Sequence, residues 1–300
     1  METKDPMSRA GTPQRDLAAR ADFAASFAAL RAAVWREKPL IHCLTHPITM
    51  NDSANVVLAL GASPNMASHP DEVVEAVRGA DALAVNLGNI TDERMEAMER
   101  AGGAAREKGI PVLLDAVGVG FSTLRRRFAA HFIEAYRPAI VKGNASELRI
   151  LCGLASHGRG VDAGPADAVG TAQLEDMAAL LQKHAVQWRT VLLLTGATDL
   201  IVSPARTAFV RNGTPVLARL TGTGCMAGAM AATWLAVGTP WEAAVLACVT
   251  MGMAGWMAEQ AAGKGPDGRV PMGAFHMALL DALSTLSDET LASGMEITVR

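Results

Sequence analysis

The chain has 300 residues, 50% hydrophobic and 19% charged, with a mean hydropathy of +0.20, which excludes a disordered chain and a disulfide miniprotein. Its 27 basic and 30 acidic residues give a net charge of −3, so the overall electrostatic footprint of a nucleic-acid binder is missing. Aromatics at 4% leave few platforms for base stacking, and the widely spaced Cys43, Cys152, Cys225 and Cys248 have neither zinc-ligand spacing nor the density of a secreted scaffold.

Residues 1–15 are charged, Pro/Gly-marked and without an apolar run. They predict a disordered leader before one domain over 16–300, and a cytoplasmic protein. The first helix is predicted over 16–36 from the spacing of Leu17, Phe23, Phe27, Leu30 and Val34. Short apolar runs at 39–44, 83–87, 111–117, 139–142 and 190–195 predict strands. Helical stretches at 51–60, 71–78, 91–108, 124–136 and 172–183 alternate with them. Thr91 is the expected N-cap of its helix.

That alternation predicts an α/β fold of three layers, a mainly parallel central sheet with helices on both faces. The pattern then changes: 200–203, 206–211 and 215–220 leave no room for helices and predict an antiparallel meander at the sheet edge. Asn212-Gly213 is its expected hairpin turn. From Cys225 onward the chain is predicted to be all-helical. Residues 220–241 carry no charge, but Gly238-Thr239-Pro240 divides the apolar stretch into helices over 225–237 and 243–257. Both are short for a bilayer, so they read as buried core and not as membrane spans. The Gly-rich segment 153–170 is a long loop and a candidate lid.

Ligands of doubly wound sheets bind beyond the carboxyl ends of the strands. The polar residues there are Thr45 and His46, Asn86, Asp115, Lys142 through Glu147, Thr195-Gly196, and Thr221-Gly-Thr-Gly-Cys225. TGTGC running into a small-residue helix offers free backbone N–H groups where the helix dipole favours negative charge, an anion hole. The same glycines serve equally as a turn for tight packing. Cys225 sits where that dipole is expected to lower a thiol pKa. Asn144 and Glu147 form either a plain capping box or a carboxylate able to hold a metal-bound water. Lys142 can meet a phosphate, and Asp115, ending a buried strand, needs a partner. Two carboxylates, a basic residue and an anion hole suggest phosphoryl transfer.

The segments PLIHCLTHPITMNDSANVVLALGASPNMASHPDEV, LLDAVGVG, IVKGNASEL, LLLTG and TGTGCMAGAM resemble hydroxyethylthiazole kinase, a thiamine-salvage family with a ribokinase-like fold. The resemblance runs from Pro39 to about Leu286; ALGASPxM and TGxGC carry it, and NxxE belongs to the wider superfamily. It implies Mg²⁺-dependent phosphorylation of the primary alcohol of hydroxyethylthiazole by ATP, in a homotrimer with interfacial sites. It further implies substrate contacts from Met66 and Gly222, ATP contacts from Lys142 and Thr195, a metal role for Asp115 and Glu147, and a catalytic Cys225. His46 stands where the family has Asn, Ala116 replaces a Pro, and Gly273-Ala-Phe275 replaces GSF. The bland reading of His46 is a tolerated polar swap. Alternatives are another ribokinase-like kinase acting on hydroxymethylpyrimidine, a repair dehydratase, or a non-catalytic nucleotide- or thiazole-binding relative.

Overall fold

The computed structural model describes residues 14–154 and 171–300. The leader, except its last two residues, and nearly all of the candidate lid lie outside them. Helix α1 (Gln14–Glu37) starts two residues earlier than predicted and buries Phe23, Phe27, Leu30 and Val34 along one face. The chain then alternates as β1 (Leu40–Leu44), α2 (Met50–Ala59), β2 (Ser63–Asn65), α3 (Val73–Gly79), β3 (Ala82–Asn86), α4 (Asp92–Lys108), β4 (Val112–Asp115), α5 (Thr123–Tyr136), β5 (Ile140–Asn144) and α6 (Ala145–Leu151). It continues as α7 (Thr171–Trp188), β6 (Val191–Thr195), β7 (Asp199–Val202), β8 (Thr207–Val210), α8 (Thr223–Leu235), α9 (Pro240–Ala262), α10 (Met272–Thr285), α11 (Asp288–Gly294) and β9 (Ile297–Val299).

The described strands form one sheet in the order β2-β1-β3-β4-β5-β6-β7-β8-β9. Strands β2 through β6 are parallel, and β7, β8 and β9 add antiparallel to the edge. Because strand side chains alternate, each strand feeds two cores. In β3, Ala82 and Ala84 face the layer of α1, α2, α8, α9 and α10, whereas Leu83 and Val85 face that of α3, α4, α5 and α7. Small residues on the first side let α8 pack closely against β3 and β4. At Gly228 a Cβ would meet Asp115 Oδ2 at 3.3 Å and Leu113 Cδ2 at 3.7 Å.

The predicted cap of α4 is present, and α9 carries a capping box that was not expected from the sequence. Thr91 accepts from Arg94 N at 3.2 Å, and Thr239 with Glu242 forms a capping box ahead of Pro240. Four expectations need correction. Residues 215–220 are not a strand: Pro215–Arg219 is a 3₁₀ turn capped by Thr214, and Pro215 has no N–H for a ladder. The β7–β8 hairpin turns through 203–206, where the Ser203 hydroxyl accepts from Ala205 N and Arg206 N. Asn212 is instead a brace. Its Nδ2 donates to Gly294 O and its Oδ1 accepts from Glu296 N, both at 2.8 Å. That brace leads into β9, a strand in the stretch predicted all-helical. Finally, α9 has 23 residues, longer than predicted and apolar enough to cross a membrane, but 83% of its most apolar window is buried inside the protein. It is a core helix.

Candidate active site

Register places the functional residues side by side at one edge of the sheet. Asn86 pairs with Asp115, Asp115 with Lys142, and Asn144 with Thr195. Asn86, Asp115 and Lys142 are each buried. Lys142 Nζ donates to Asp115 Oδ2 at 3.1 Å, and Asn86 Nδ2 donates to the same oxygen at 3.1 Å. Asp115 Oδ1 has no protein partner. Burial pushes the Asp115 carboxyl above its usual range, and Lys142 and Asn86 oppose the rise. Burial would depress the Lys142 ammonium, but Asp115, Cys225 and Glu147 outweigh it and the net direction is up.

Helix α8 supplies the other wall. Its N-cap, Gly222, has φ of 90°, and a Cβ there would come within 2.7 Å of Thr49 Cγ2. Glycine is therefore required twice, by backbone and by neighbour. The first intrahelical bond is Met226 N to Gly222 O, so the preceding amides are the helix's orphan donors. Lys142 lies beneath them: a Cβ on Gly224 would sit 3.6 Å from its Nζ. Cys225 Sγ accepts from Asn86 Nδ2 at 3.2 Å and lies 3.5 Å from His46 Nε2. The expected low thiol pKa is overturned. Burial pushes the thiol up and Asp115's charge adds to the rise, against Lys142, Thr49 and Asn86. A thiol half enclosed beside a carboxylate loses more solvation than one helix end returns.

Glu147 takes the capping role read from its motif. It closes a capping box with Asn144, and its oxygens accept from Gly118 N at 2.8 Å and Asn144 N at 2.7 Å. Burial and then Asp115 raise its pKa to about 7, against those amides and Lys142.

Asp115, Lys142, Glu147, Gly222 and Cys225 are thus gathered around one point. Thr195 ends β6 on the same edge, followed by a turn pinned by Gly196 N donating to Asp199 Oδ1 at 2.9 Å. Met66 follows β2 in a loop held where His42 Nε2 donates to Ala67 O at 2.8 Å. Neither Met66 nor Thr195 takes part in the cluster's hydrogen bonds. Sequence reasoning gave no role to Asn86, Thr49, Arg94 or Arg125. Arg94 reaches from α4 to the carbonyls of Thr45 and Asn86, clamping the ends of β1 and β3. Arg125, on α5, donates to Val117 O at 3.3 Å and stacks on Phe121. Only the polar end of the apolar β3 run signalled Asn86; the two arginines look like ordinary helix-surface charges.

A cavity of about 10 Å³ lies against Cys225, lined by Thr45, Ser53, Asn86 and Asp115 among others. A larger cleft of about 410 Å³, bordered by Ile133, Arg137, Leu151 and Trp188, involves the far ends of α5 and α7 and none of the cluster. Size notwithstanding, the convergent polar groups mark the former as the site.

A nine-stranded, mainly parallel sheet with an anion hole facing a buried Lys–Asp pair defines a ribokinase-like phosphotransferase. The fold is shared with a ribokinase-like superfamily protein from Enterococcus faecalis V583, at a TM-score of 0.56 and 12% identity over 83% of this chain and 87% of that one. The chain belongs to the hydroxyethylthiazole kinase family, whose model matches residues 32–289. It is 37% identical over 268 residues to hydroxyethylthiazole kinase 2 of Clostridium botulinum (strain 657 / Type Ba4), covering 89% of this chain and 98% of that protein. It is 36% identical over 265 residues to the hydroxyethylthiazole kinase of Thermoanaerobacter sp. (strain X514), covering 88% and 96%. The structure of the hydroxyethylthiazole kinase protein from Pyrococcus horikoshii OT3 superposes with a TM-score of 0.78 at 32% identity, over 91% of this chain and 98% of that one.

Proposed function

We propose that this protein transfers the γ-phosphoryl group of ATP to the primary hydroxyl of hydroxyethylthiazole, as a cytoplasmic enzyme of thiamine salvage. The observation that carries the reading is the placement of the Cys225 thiol at the head of α8, beside orphan helix amides and above the Lys142–Asp115 pair. An alcohol seated against Sγ has its oxygen held by a neutral partner, while the amides and Lys142 face the charge that develops on the transferring group. Little covalent work is asked of the protein, so positioning dominates.

Met66 and Gly222 border the thiazole side, and Lys142 and Thr195 the nucleotide side. The donor set fits Mg²⁺, which takes one or two carboxylates and completes its shell with water and phosphate oxygens. Asp115 Oδ1 is buried and unpartnered, and each Glu147 oxygen keeps a free lone pair beyond its amide. Among the described residues no group of three or more His, Cys, Asp or Glu could hold a metal alone, consistent with a cation that arrives with nucleotide. When bound, Mg²⁺ would neutralise charge on the β- and γ-phosphate oxygens.

The assembly we propose is a homotrimer whose sites lie between subunits. Among the described residues the cavity at Cys225 holds only about 10 Å³, far less than the roughly 300 Å³ at which ligand pockets begin, and a neighbouring subunit would add cover for an acceptor ring. Ile48, Leu58 and Met277 are exposed apolar residues on or beside the packed helices α2 and α10. Light scattering at the trimer mass is the expected result; a monomer that is fully active would refute the interfacial site.

ADP release measured with hydroxyethylthiazole, with hydroxymethylpyrimidine and with no acceptor tests the activity. Turnover with the thiazole alcohol alone is expected. Turnover with the pyrimidine alone would transfer the protein to another ribokinase-like activity, and none with either would make it a binding protein.

A further inference from the structure

His46 follows β1 and is 7% exposed. Its Nε2 lies 3.5 Å from Cys225 Sγ and 3.3 Å from Thr49 Oγ1, and its carbonyl accepts from Thr49 N at 3.0 Å. The ring fits because residue 88 is glycine: a Cβ there would come within 2.2 Å of His46 Cδ2 and 2.7 Å of Nε2. On the other side of the thiol, the Asn86 amide is fixed in direction, since its Oδ1 accepts from Gly88 N at 2.8 Å and leaves Nδ2 to donate to Sγ. Sulfur therefore already has a donor, and the thiol hydrogen needs an acceptor. Nε2 is in reach and can accept it in the tautomer that carries the ring proton on Nδ1, which is buried without a protein partner.

We propose that His46 is a positioning residue for the kinase reaction: its unprotonated Nε2 accepts the Cys225 S–H and turns a sulfur lone pair toward the acceptor alcohol. The inference rests on the alcohol lying against Cys225. His46 does not touch the reacting atoms; it sets the direction of the thiol rotor, and the thiol orients the alcohol's O–H. Protonation of His46 reverses the bond, because Nε2–H then donates to sulfur and competes with the alcohol for its lone pairs. The charged groups facing the ring are Arg94 from α4 and Arg125 from α5. The titratable neighbour on α8 is Cys225, with Asp115 beyond Asn86 and Glu147 beside Arg125. Burial, reinforced by both arginines, holds the imidazole below its ordinary value, so the ring is neutral at pH 7.

The test compares wild type, His46→Leu and His46→Gln by kcat and KM from pH 5 to 8. It adds infrared difference spectra against Cys225→Ala, which isolate the Cys225 S–H stretch. At pH 7.5, His46→Leu is expected to lower kcat roughly tenfold, the worth of one hydrogen bond, with KM for ATP unchanged. His46→Gln, whose amide oxygen can accept without titrating, restores most of kcat. Wild-type kcat carries an acid limb below pH 6.5 that both variants lose. The S–H stretch lies at lower wavenumber in wild type and moves to the free-thiol position in His46→Leu. An unchanged stretch, or an acid limb that survives both substitutions, overturns the proposal. The spectrum is read without turnover, so an absence of thiazole phosphorylation would count against the proposed activity and leave the Cys225–His46 contact separately decided.

Discussion

Asn86 and Cys225 lie 139 positions apart in sequence, yet Asn86 Nδ2 is 3.2 Å from Cys225 Sγ. The same nitrogen is 3.1 Å from Asp115 Oδ2. One amide thus joins the thiol at the head of α8 to the buried carboxylate that ends β4.

Asn86→Leu removes both donations and the acceptor for Gly88 N. Loss of the one hydrogen bond to the buried carboxylate is worth about 1.5–3 kcal/mol, so kcat/KM is expected to fall at least tenfold. Asn86→Asp should be worse, because it places a second carboxylate against Asp115. Steady-state kinetics on both variants checks the order; an Asp variant more active than the Leu variant would remove the bridging role.

Cys225→Asp replaces the thiol by a carboxylate of similar reach. The amides of α8 and Lys142 remain in place, and under the proposed mechanism they act on the transferring group whatever occupies position 225. The variant is expected to retain activity within about a hundredfold, the low end of general-base contributions. Near Asp115 and out of solvent, the new carboxyl titrates above its usual range, so activity should rise with pH. A folded but inactive protein, verified by circular dichroism, would show that a carboxylate cannot substitute for sulfur here.

Gly222→Ala meets two obstacles at once. The φ of 90° is unfavourable for any residue with a Cβ, and that carbon would press on Thr49 Cγ2 at 2.7 Å. Left-handed backbone costs about 1–2 kcal/mol, and overpacking adds about 1–3 kcal/mol. A fall in Tm of several degrees is expected, with a larger loss of kcat because Thr49 carries His46. Wild-type melting and kinetics would refute the requirement for glycine.

The layered fold was legible because strands buried on both faces and amphipathic helices announce themselves over four or more residues. The carboxyl-end rule then brought together Asp115 and Lys142, which pair in the structure, while Cys225 entered the same group through an expected strand at 215–220 that is a 3₁₀ turn. Short edge strands were not legible: Ser63–Asn65 and Ile297–Val299 carry too few residues for a period, and β9 depends on Asn212, 85 or more positions earlier. Asn212-Gly213 misled because its turn chemistry serves a brace as well as a hairpin. The thiol pKa was misjudged because sequence displays the helix end but not the burial that outweighs it. Asn86 and Arg94 act through contacts between elements, which spacing along the chain does not encode.

Glu147 supplies a pH signature. Its ordinary pKa is about 4.3, and burial with Asp115's charge raises it to about 7 in the folded protein. The folded state therefore holds this proton more tightly than the unfolded chain. The corresponding stability is fully present below pH 4.3 and is lost as pH rises through 7. At 1.36 kcal/mol per unit the loss is on the order of 3 kcal/mol. Glu147→Gln cannot titrate, but it leaves the Gly118 or Asn144 amide without its acceptor, a cost of about 1–3 kcal/mol at every pH. Denaturant unfolding of both proteins from pH 4 to 8 is expected to show wild type more stable at the acid end, with the gap closing or reversing by pH 8. Taking the difference cancels His42 and His46, whose depressed values make both proteins lose stability as pH falls below 6.5. Parallel curves would mean that Glu147 is ionised throughout, held so by its two amides and Lys142 against the effect of burial.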